Sequence, residues 1–384
     1  MHVLMVCDTL SGHNGSTKMF LKTAEGFSKR GDEVFIISFG KTIDWTDLNE
    51  VPLGVPHRIL ESKSHRILKS AFIRLIFGKK TFFKVDDTPS LLQQFRLWRI
   101  IGEIGFTPDL VFFLNMWCSL PLLLKSKSEV PKSCILLHEA PIFEEVPIIE
   151  RMVLLSYVKM LFRKTSKMIS TSDQTANNTK LRLGIASSTI YHIAFDSPKS
   201  DQKKENLIIA DSRWTKEREP EFLLGIVKEL PDMKFIMHGK FVDQQVRIAL
   251  LREIASKNLS HRLQLIDGTS DIELVELYKR AKFYVRWAGR HEDGIGAGII
   301  NAVSYNCIPI VDDKLGSAKF VSKNISTKLV VTREPTSFVE AINFVLNDVD
   351  TYNHVMQRIR ECQRNFTFEK YASLIANACF DEPV

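Results

Sequence analysis

The chain is built on one repeated pattern: a short apolar run, a polar loop, then a segment with apolar residues at helical spacing. HVLMVC at 2–7 leads into the loop DTLSGHNGS. TKMFLKTAEGFSKRG follows, with Met19, Phe20, Ala24 and Phe27 recurring at helical intervals before Gly31. EVFIIS at 33–38 is the next apolar run. Apolar runs too short for a helix, bounded by turn residues and alternating with helices, predict buried strands of a parallel sheet joined by crossovers. Further runs of this kind are DLVFFLN (109–115), SCILLHE (133–139), KMISTS (167–172) and TIYHIAF (189–195), with a helix-like DQTANNTKLRLG between the last two.

At 196–206 the pattern stops. DSPKSDQKKEN is polar, charged and free of large apolar residues, which marks a domain linker. The rhythm then restarts. NLIIADS, DMKFIMHG, RLQLID, KFYVRWA, IPIVDD and KLVVT read as strands. EFLLGIVKEL, VRIALLREIASKN, IELVELYKRA, AGIINAVSYN and SFVEAINFVLN read as helices. The expected organisation is an α/β chain with a domain over 1–196, a second over 197–365, and a C-terminal helix over 366–384 returning to the first. A length of 384 residues is enough for two such cores.

Composition narrows the class. Hydrophobic residues are 45% and charged residues 25%, the balance of a globular chain, and no window approaches the ~18 consecutive apolar residues of a spanning helix. The N-terminal MHVLMVCDTL lacks a basic leader region and reads as a strand rather than a signal peptide. Six scattered cysteines form no CxxC pair, which indicates neither a zinc site nor a disulfide framework and fits a cytoplasmic location. The net charge of +7 points to an anionic partner or to ordinary surface charge. The stretch 57–84 concentrates it, with eight Lys or Arg and one Glu interleaved with apolar residues. Such a segment can lie on an anionic membrane face as a basic amphipathic helix, which would make the protein peripheral at the inner membrane. It can equally be a surface helix packed on the sheet. No nucleic-acid reader module is present.

Two motifs carry chemistry. In EDGIGAGIINA (292–302), glycines stand between a strand and a helix N-terminus, where free amides and the helix dipole can meet an anion. The spacing is not GxGxxG, since Ile299 occupies the last glycine position. In ADSRWTKEREPE (210–221), Arg213 and Arg218 follow the first strand of the second half. Two guanidiniums beside helix-terminal amides suit a diphosphate leaving as an anion. A salt bridge to Glu217, Glu219 or Glu221 would also explain either arginine.

Together these segments resemble the retaining GT-B glycosyltransferases of glycosyltransferase family 4. SRWTKEREPEFLLGIVKEL is similar to the family's S-R-W-x-x-x-K-R-P-E helix entry, and SDIELVELYKRAKFYVRW to its helix and following strand. DGIGAGIINAVSYNCIPIV resembles E-x-F-G-x-x-x-x-E-A-M-A-x-G-x-I-P-I-V. In the first half, SGHNGSTKMFLKTAEGFSKRGDEVFIIS and STSDQTANNTKLRLG fit more loosely. The resemblance implies the GT-B fold, two Rossmann-like doubly wound parallel-sheet domains facing a cleft. It implies sugar transfer from a UDP- or GDP-sugar to a glycan or lipid-linked acceptor, with retention and without a metal or other cofactor.

Carried over by position, Asp293 and Asn301 stand where the family has two glutamates, one near the donor sugar and one on the ribose. Glu292 or His291 could replace Asp293 after a small loop shift. Gly296, Ala297 and Gly298 would meet the diphosphate with Arg213 and Arg218. His138, at the end of an apolar strand, stands where the family has a histidine near the sugar, and Gly15 lets the first loop approach the substrates. Because both glutamates are replaced, a silent nucleotide-sugar-binding or partner-binding module is the competing expectation.

Overall fold

A computed structural model describes residues 1–7, 15–39, 55–59, 91–103, 105–138, 140, 148–191, 203–268, 271–289 and 294–380. The chain divides into two compact units, Met1–His192 with Phe368–Val384, and Ile193–Thr367.

The first unit holds a parallel sheet of β1 (His2–Cys7), β2 (Glu33–Ser38), β3 (His57–Ile59), β4 (Leu110–Phe113), β5 (Lys132–Leu137), β6 (Lys167–Ser170) and β7 (Ser188–Thr189). Their order is β3-β2-β1-β4-β5-β6-β7. Val3–Cys7 and all of β4 are buried, because helices cover both faces of such a sheet and each strand becomes a continuous apolar run. The described helices of this unit are α1 (Gly15–Lys29), α2 (Leu91–Glu103), α3 (Ile148–Lys164), α4 (Asp173–Leu183) and, from the end of the chain, Phe368–Phe380. Ser172 caps α4 by accepting from the Thr175 amide, and Gly184 ends it at φ 68°. The chain's last helix packs on α1 so closely that a Cβ on Gly26 would lie 2.3 Å from the Phe368 carbonyl oxygen.

Two expectations change here. His57–Ile59, the start of the basic stretch, is a strand paired with β2 and not the opening of an amphipathic helix. The rest of that stretch, 60–84, lies outside the described residues. Of the strand read from TIYHIAF, Thr189 lies in β7, Ile190 and Tyr191 lie past its end, and 192–195 lie outside the described residues.

The second unit repeats the design with six parallel strands: β8 (Glu205–Asp211), β9 (Lys234–His238), β10 (Leu263–Ile266), β11 (Ala281–Arg286), β12 (Ile308–Asp312) and β13 (Val330–Val331). The order is β10-β9-β8-β11-β12-β13. Its helices are α5 (Phe222–Glu229), α6 (Gln244–Ser256), α7 (Asp271–Arg280), α8 (Ala297–Ser304), α9 (Ala318–Asn324), α10 (Pro335–Leu346) and α11 (Val349–Asn365), so the chain's last helix, Phe368–Phe380, is α12. Asp348 caps α11 by accepting from the amides of Asp350 and Thr351. The Asp348-Val349-Asp350 triplet, which has the spacing of a metal-binding motif, is thus used as a helix start. All six cysteines are buried and none forms a disulfide.

Candidate functional site

In the second sheet the chain runs β8, β9, β10 in one direction, then returns to lay β11 on the other side of β8. At such a switch point the loops after the two central strands diverge to opposite faces and leave a crevice at the carboxyl edge. Arg213 and Arg218 follow β8, and the glycine segment follows β11.

A buried tryptophan anchors the loop after β8. Trp214 is fully buried, donates through Nε1 to the His238 carbonyl at 2.8 Å, and packs against Trp287 with ring centroids 5.5 Å apart. Its neighbour Arg213 is exposed and makes no ion pair among the described residues. The proposed glutamate partners do not take it up: Glu219 pairs with Arg333 at 2.7 Å. Gly239, at φ 122°, lets the loop after β9 touch this segment, since a Cβ there would lie 1.9 Å from the Ser212 carbonyl oxygen.

Arg218 ends a 3-10 turn, Lys216–Arg218, closed by Glu219 in the left-handed region at φ 45°. A non-glycine residue there costs roughly 1–2 kcal/mol, and such outliers gather where a side chain must be aimed. The Arg218 guanidinium donates to Ser212 Oγ. Its backbone carbonyl accepts from Trp287 Nε1 at 2.7 Å. A Cβ on Gly289 would lie 2.9 Å from Arg218 Cγ. The structure therefore brings Arg218 against the loop that follows β11.

That loop is pinned from its other side. Asp312, fully buried at the end of β12, accepts from the Ala288 amide at 3.1 Å and from the Lys314 amide at 2.9 Å. Downstream, Gly296 is the N-cap of α8; among the described residues no side chain caps this helix, and no acidic residue lies in its first turn. Its first-turn amides carry partial positive charge that no acidic side chain in that turn offsets. The three candidates here separate. Gly296 is exposed with open space where a Cβ would stand, and Ala297 is exposed. Gly298 is buried, and a Cβ on it would lie 2.3 Å from the Tyr284 hydroxyl. The side-chain position of Gly298 thus serves helix–sheet packing. Asn301, half-buried, lies four residues after Ala297 and so on the same helix face. His291, Glu292 and Asp293 lie outside the described residues.

Below this edge is a polar cluster that the motifs do not announce. Asp211, the last residue of β8, sits 3.0 Å from His238 Nδ1 and accepts from the Tyr278 hydroxyl at 3.1 Å. Burial and the adjacent Asp211 charge push the Tyr278 hydroxyl well above its ordinary range, so it stays a donor. The ties made by Trp287, Asp312, Gly239 and Gly289 were also not read from sequence. The available signals were a carboxylate ending an apolar strand in IPIVD and a tryptophan directly after KFYVR.

The remaining candidates belong to the first unit. His138 follows β5, and its carbonyl accepts from the Thr171 hydroxyl at 3.1 Å and the Thr175 hydroxyl at 3.4 Å. Burial lowers its imidazole pKa to about 4, so the ring is neutral at pH 7. Gly15 is the first residue of α1.

Residues 193–361 match the model of the family described as glycosyl transferases group 1. Several solved structures share the fold along the whole chain. HepE of Anabaena, solved with UDP, superposes with a TM-score of 0.72 at 14% identity, covering 98% of this chain and 99% of that one. TarM of S. aureus, a mutant solved with fondaparinux, alpha-GlcNAc-glycerol and UDP, gives 0.67 at 12%, covering 99% and 100%. A glycosyltransferase from Rickettsia africae gives 0.67 at 16%, covering 98% and 97%. No curated protein matches in sequence. The architecture is GT-B, two Rossmann-like parallel-sheet units.

Proposed function

We propose that this chain transfers a glycosyl group from a nucleoside diphosphate sugar, bound at the carboxyl edge of the second sheet, to a glycan or lipid-linked acceptor. The observation that carries this reading is the meeting of Arg218 with the loop after β11 at the switch point, beside an exposed Arg213 and a helix start without a cap. A diphosphate is the ligand whose charge and size call for two guanidiniums and a helix start together. UDP-sugars are the first donors to test, since HepE has been solved with UDP-glucose.

In this mechanism the bond from the anomeric carbon to the diphosphate oxygen breaks and a bond to the acceptor oxygen forms. The acceptor's proton passes to the departing diphosphate, on the same face, so configuration is retained. Negative charge grows on the leaving oxygen. Arg213, Arg218 and the amides at Gly296–Gly298 are the groups assigned to stabilise it, and with their charge in place the step needs no metal. Asn301 is assigned to the ribose hydroxyls, which an amide can engage as donor and acceptor without charge. Asp293 or Glu292 is assigned to the sugar. For His138 the proposal is that its neutral ring hydrogen-bonds a hydroxyl rather than a phosphate.

A thermal-shift panel of UDP- and GDP-sugars on the full chain tests the donor. A true donor raises the unfolding midpoint by mass action. Adding candidate acceptors and EDTA then tests the rest: nucleotide release should require acceptor and persist with EDTA. The Asn301 replacement favours one competitor, a binding module. Stabilisation by a nucleotide sugar without any release would establish that reading instead.

A further inference from the structure

The second unit has a cavity of about 490 Å³ that the donor reading leaves unused. Its volume falls within the roughly 300–1,000 Å³ of small-molecule sites. It lies at the amino end of the sheet, where Lys203 and Lys204 precede β8 and Lys282 is the second residue of β11. The donor loops leave the other end of the same strands, roughly 20 Å away at about 3.3 Å per residue.

Four cations line the cavity: Lys203, Lys204, Lys282 and Arg360. No carboxylate does, among the described residues. Lys204 is structural. Its ammonium donates to the carbonyls of Tyr278, Lys279 and Tyr305, at 3.0, 2.7 and 2.6 Å, closing the carboxyl ends of α7 and α8. Lys282 faces a neutral partner, the Asn206 side-chain oxygen at 2.8 Å, and burial lowers its pKa. A partly desolvated ammonium with no carboxylate beside it is set to gain from an anion. The wall is tied in place: Gln363 Nε2 donates to the Val303 carbonyl at 2.6 Å and to Asn306 Oδ1 at 3.0 Å, joining α11 to the end of α8.

The rest of the lining is apolar. On α11, Val349, Tyr352, Met356 and Arg360 follow at intervals of three and four, so one helix face runs from apolar to cationic within the cavity. Val345 and Leu346 of α10 extend the apolar part, and Val349 is 72% exposed. We propose that this cavity binds an anionic amphiphile, a phosphate ester carrying an aliphatic chain, with the phosphate on Lys203, Lys282 and Arg360 and the chain along Val345–Met356. The site is separate from the donor edge and does not depend on it.

The test is calorimetric titration of the full chain with dodecyl phosphate below its micelle concentration. Inorganic phosphate and dodecyl maltoside serve as comparators, and sedimentation with vesicles of phosphatidic acid in phosphatidylcholine tests a bilayer source. Dodecyl phosphate, the vesicles or both should bind at least tenfold more tightly than either comparator. The double substitution Lys282→Gln and Arg360→Gln should weaken that binding at least tenfold. Val349→Asp, at an exposed position the fold tolerates, should do the same. The arm that responds identifies the source as a free ester or a bilayer lipid. Absence of binding in both arms, binding no tighter than inorganic phosphate, or binding unchanged in both variants overturns the proposal.

Discussion

The carboxyl edges of the two sheets share a strand plan and differ in chemistry. Both place the first strand of the unit beside the fourth, β1 with β4 and β8 with β11. The second edge presents guanidiniums and an uncapped helix start. At the first edge Asp173 begins α4 just after β6 and accepts from the Tyr191 hydroxyl at 2.7 Å, while the described loop after β4 is uncharged. There Asn115 accepts from the amides of Trp117 and Cys118, Trp117 stacks on Tyr157 at 6.1 Å, and the Tyr157 hydroxyl donates to the Met116 carbonyl. His138 joins this set as an uncharged ring. The backbone topology therefore does not assign the ligand; the loops do. A diphosphate suits the cationic edge, and hydroxyl-rich or apolar groups suit the uncharged loop after β4.

Removing charge from the second edge should have the largest effect. Arg213→Ala and Arg218→Ala should each lower transfer by about two orders of magnitude or more, since a positioned electrostatic contact to a leaving group is worth ~3 kcal/mol. Steady-state kcat/KM with the donor found by thermal shift is the measurement. Near-normal activity in both variants would remove the diphosphate from this edge. Trp117→Phe in the uncharged loop after β4 should leave the donor-induced thermal shift unchanged, and a lost shift would erase the contrast between the two edges.

The first edge has its own signature in acid. His138 has a folded pKa of about 4, below its ordinary 6.5. Above pH 6.5 neither state is protonated and the group contributes nothing to the pH dependence. Between pH 6.5 and 4 the unfolded chain takes up a proton that the folded chain refuses, so stability falls. The loss levels off below pH 4 at about 3 kcal/mol, from ~1.36 kcal/mol per unit. The fall in unfolding midpoint from pH 7 to 4 should therefore be smaller for His138→Gln than for the natural chain. Parallel curves would show that the ring is not held neutral by the fold. Next in size is Asp312→Ala at the second edge, which strands two amides and should cost about 1–3 kcal/mol. If the pinned loop matters to the donor, donor KM should rise as well; a stability loss with KM unchanged would confine Asp312 to the fold.

Much of this was legible in the sequence, for a physical reason. Strands buried on both faces, such as β1, β4, β8 and β12, are continuous apolar runs, and the turns between them carry Gly, Asp, Ser and Pro. One helix that escaped reading lacks a clean stripe. On α3, Ile148, Met152, Val153, Met160 and Phe162 are exposed while Leu154, Val158 and Leu161 are buried, so apolar residues surround the helix and no period stands out. At the candidate site, Arg213, Arg218 and the glycines were visible because each is a local motif. The contacts that aim them were not. Trp287 to the Arg218 carbonyl, Asp312 to the Ala288 amide and Gly289 against Arg218 all join residues far apart in the chain. Each exists only once β8, β11 and β12 lie side by side.

The smallest expected effect tests whether aiming Arg218 matters beyond supplying its charge. Glu219 holds the left-handed position directly after it and pairs with Arg333, whose guanidinium also lies 5.9 Å from the Phe222 ring centre. Glu219→Gly relieves a backbone conformation costing roughly 1–2 kcal/mol. It also loses a half-exposed ion pair worth about 0–1 kcal/mol and gives the unfolded chain more freedom, by about 0.4–1 kcal/mol. These terms nearly cancel, so the unfolding midpoint should move by no more than a few degrees. Transfer should nevertheless fall several-fold, because the turn that orients Arg218 becomes free to sample other conformations. Arg333→Met, which removes the pair and keeps Glu219 in place, should have the lesser effect on transfer. If Glu219→Gly matches the natural chain in both midpoint and kcat/KM, then Trp287 and Ser212 suffice to aim the guanidinium, and the left-handed turn is only the path the chain takes into α5.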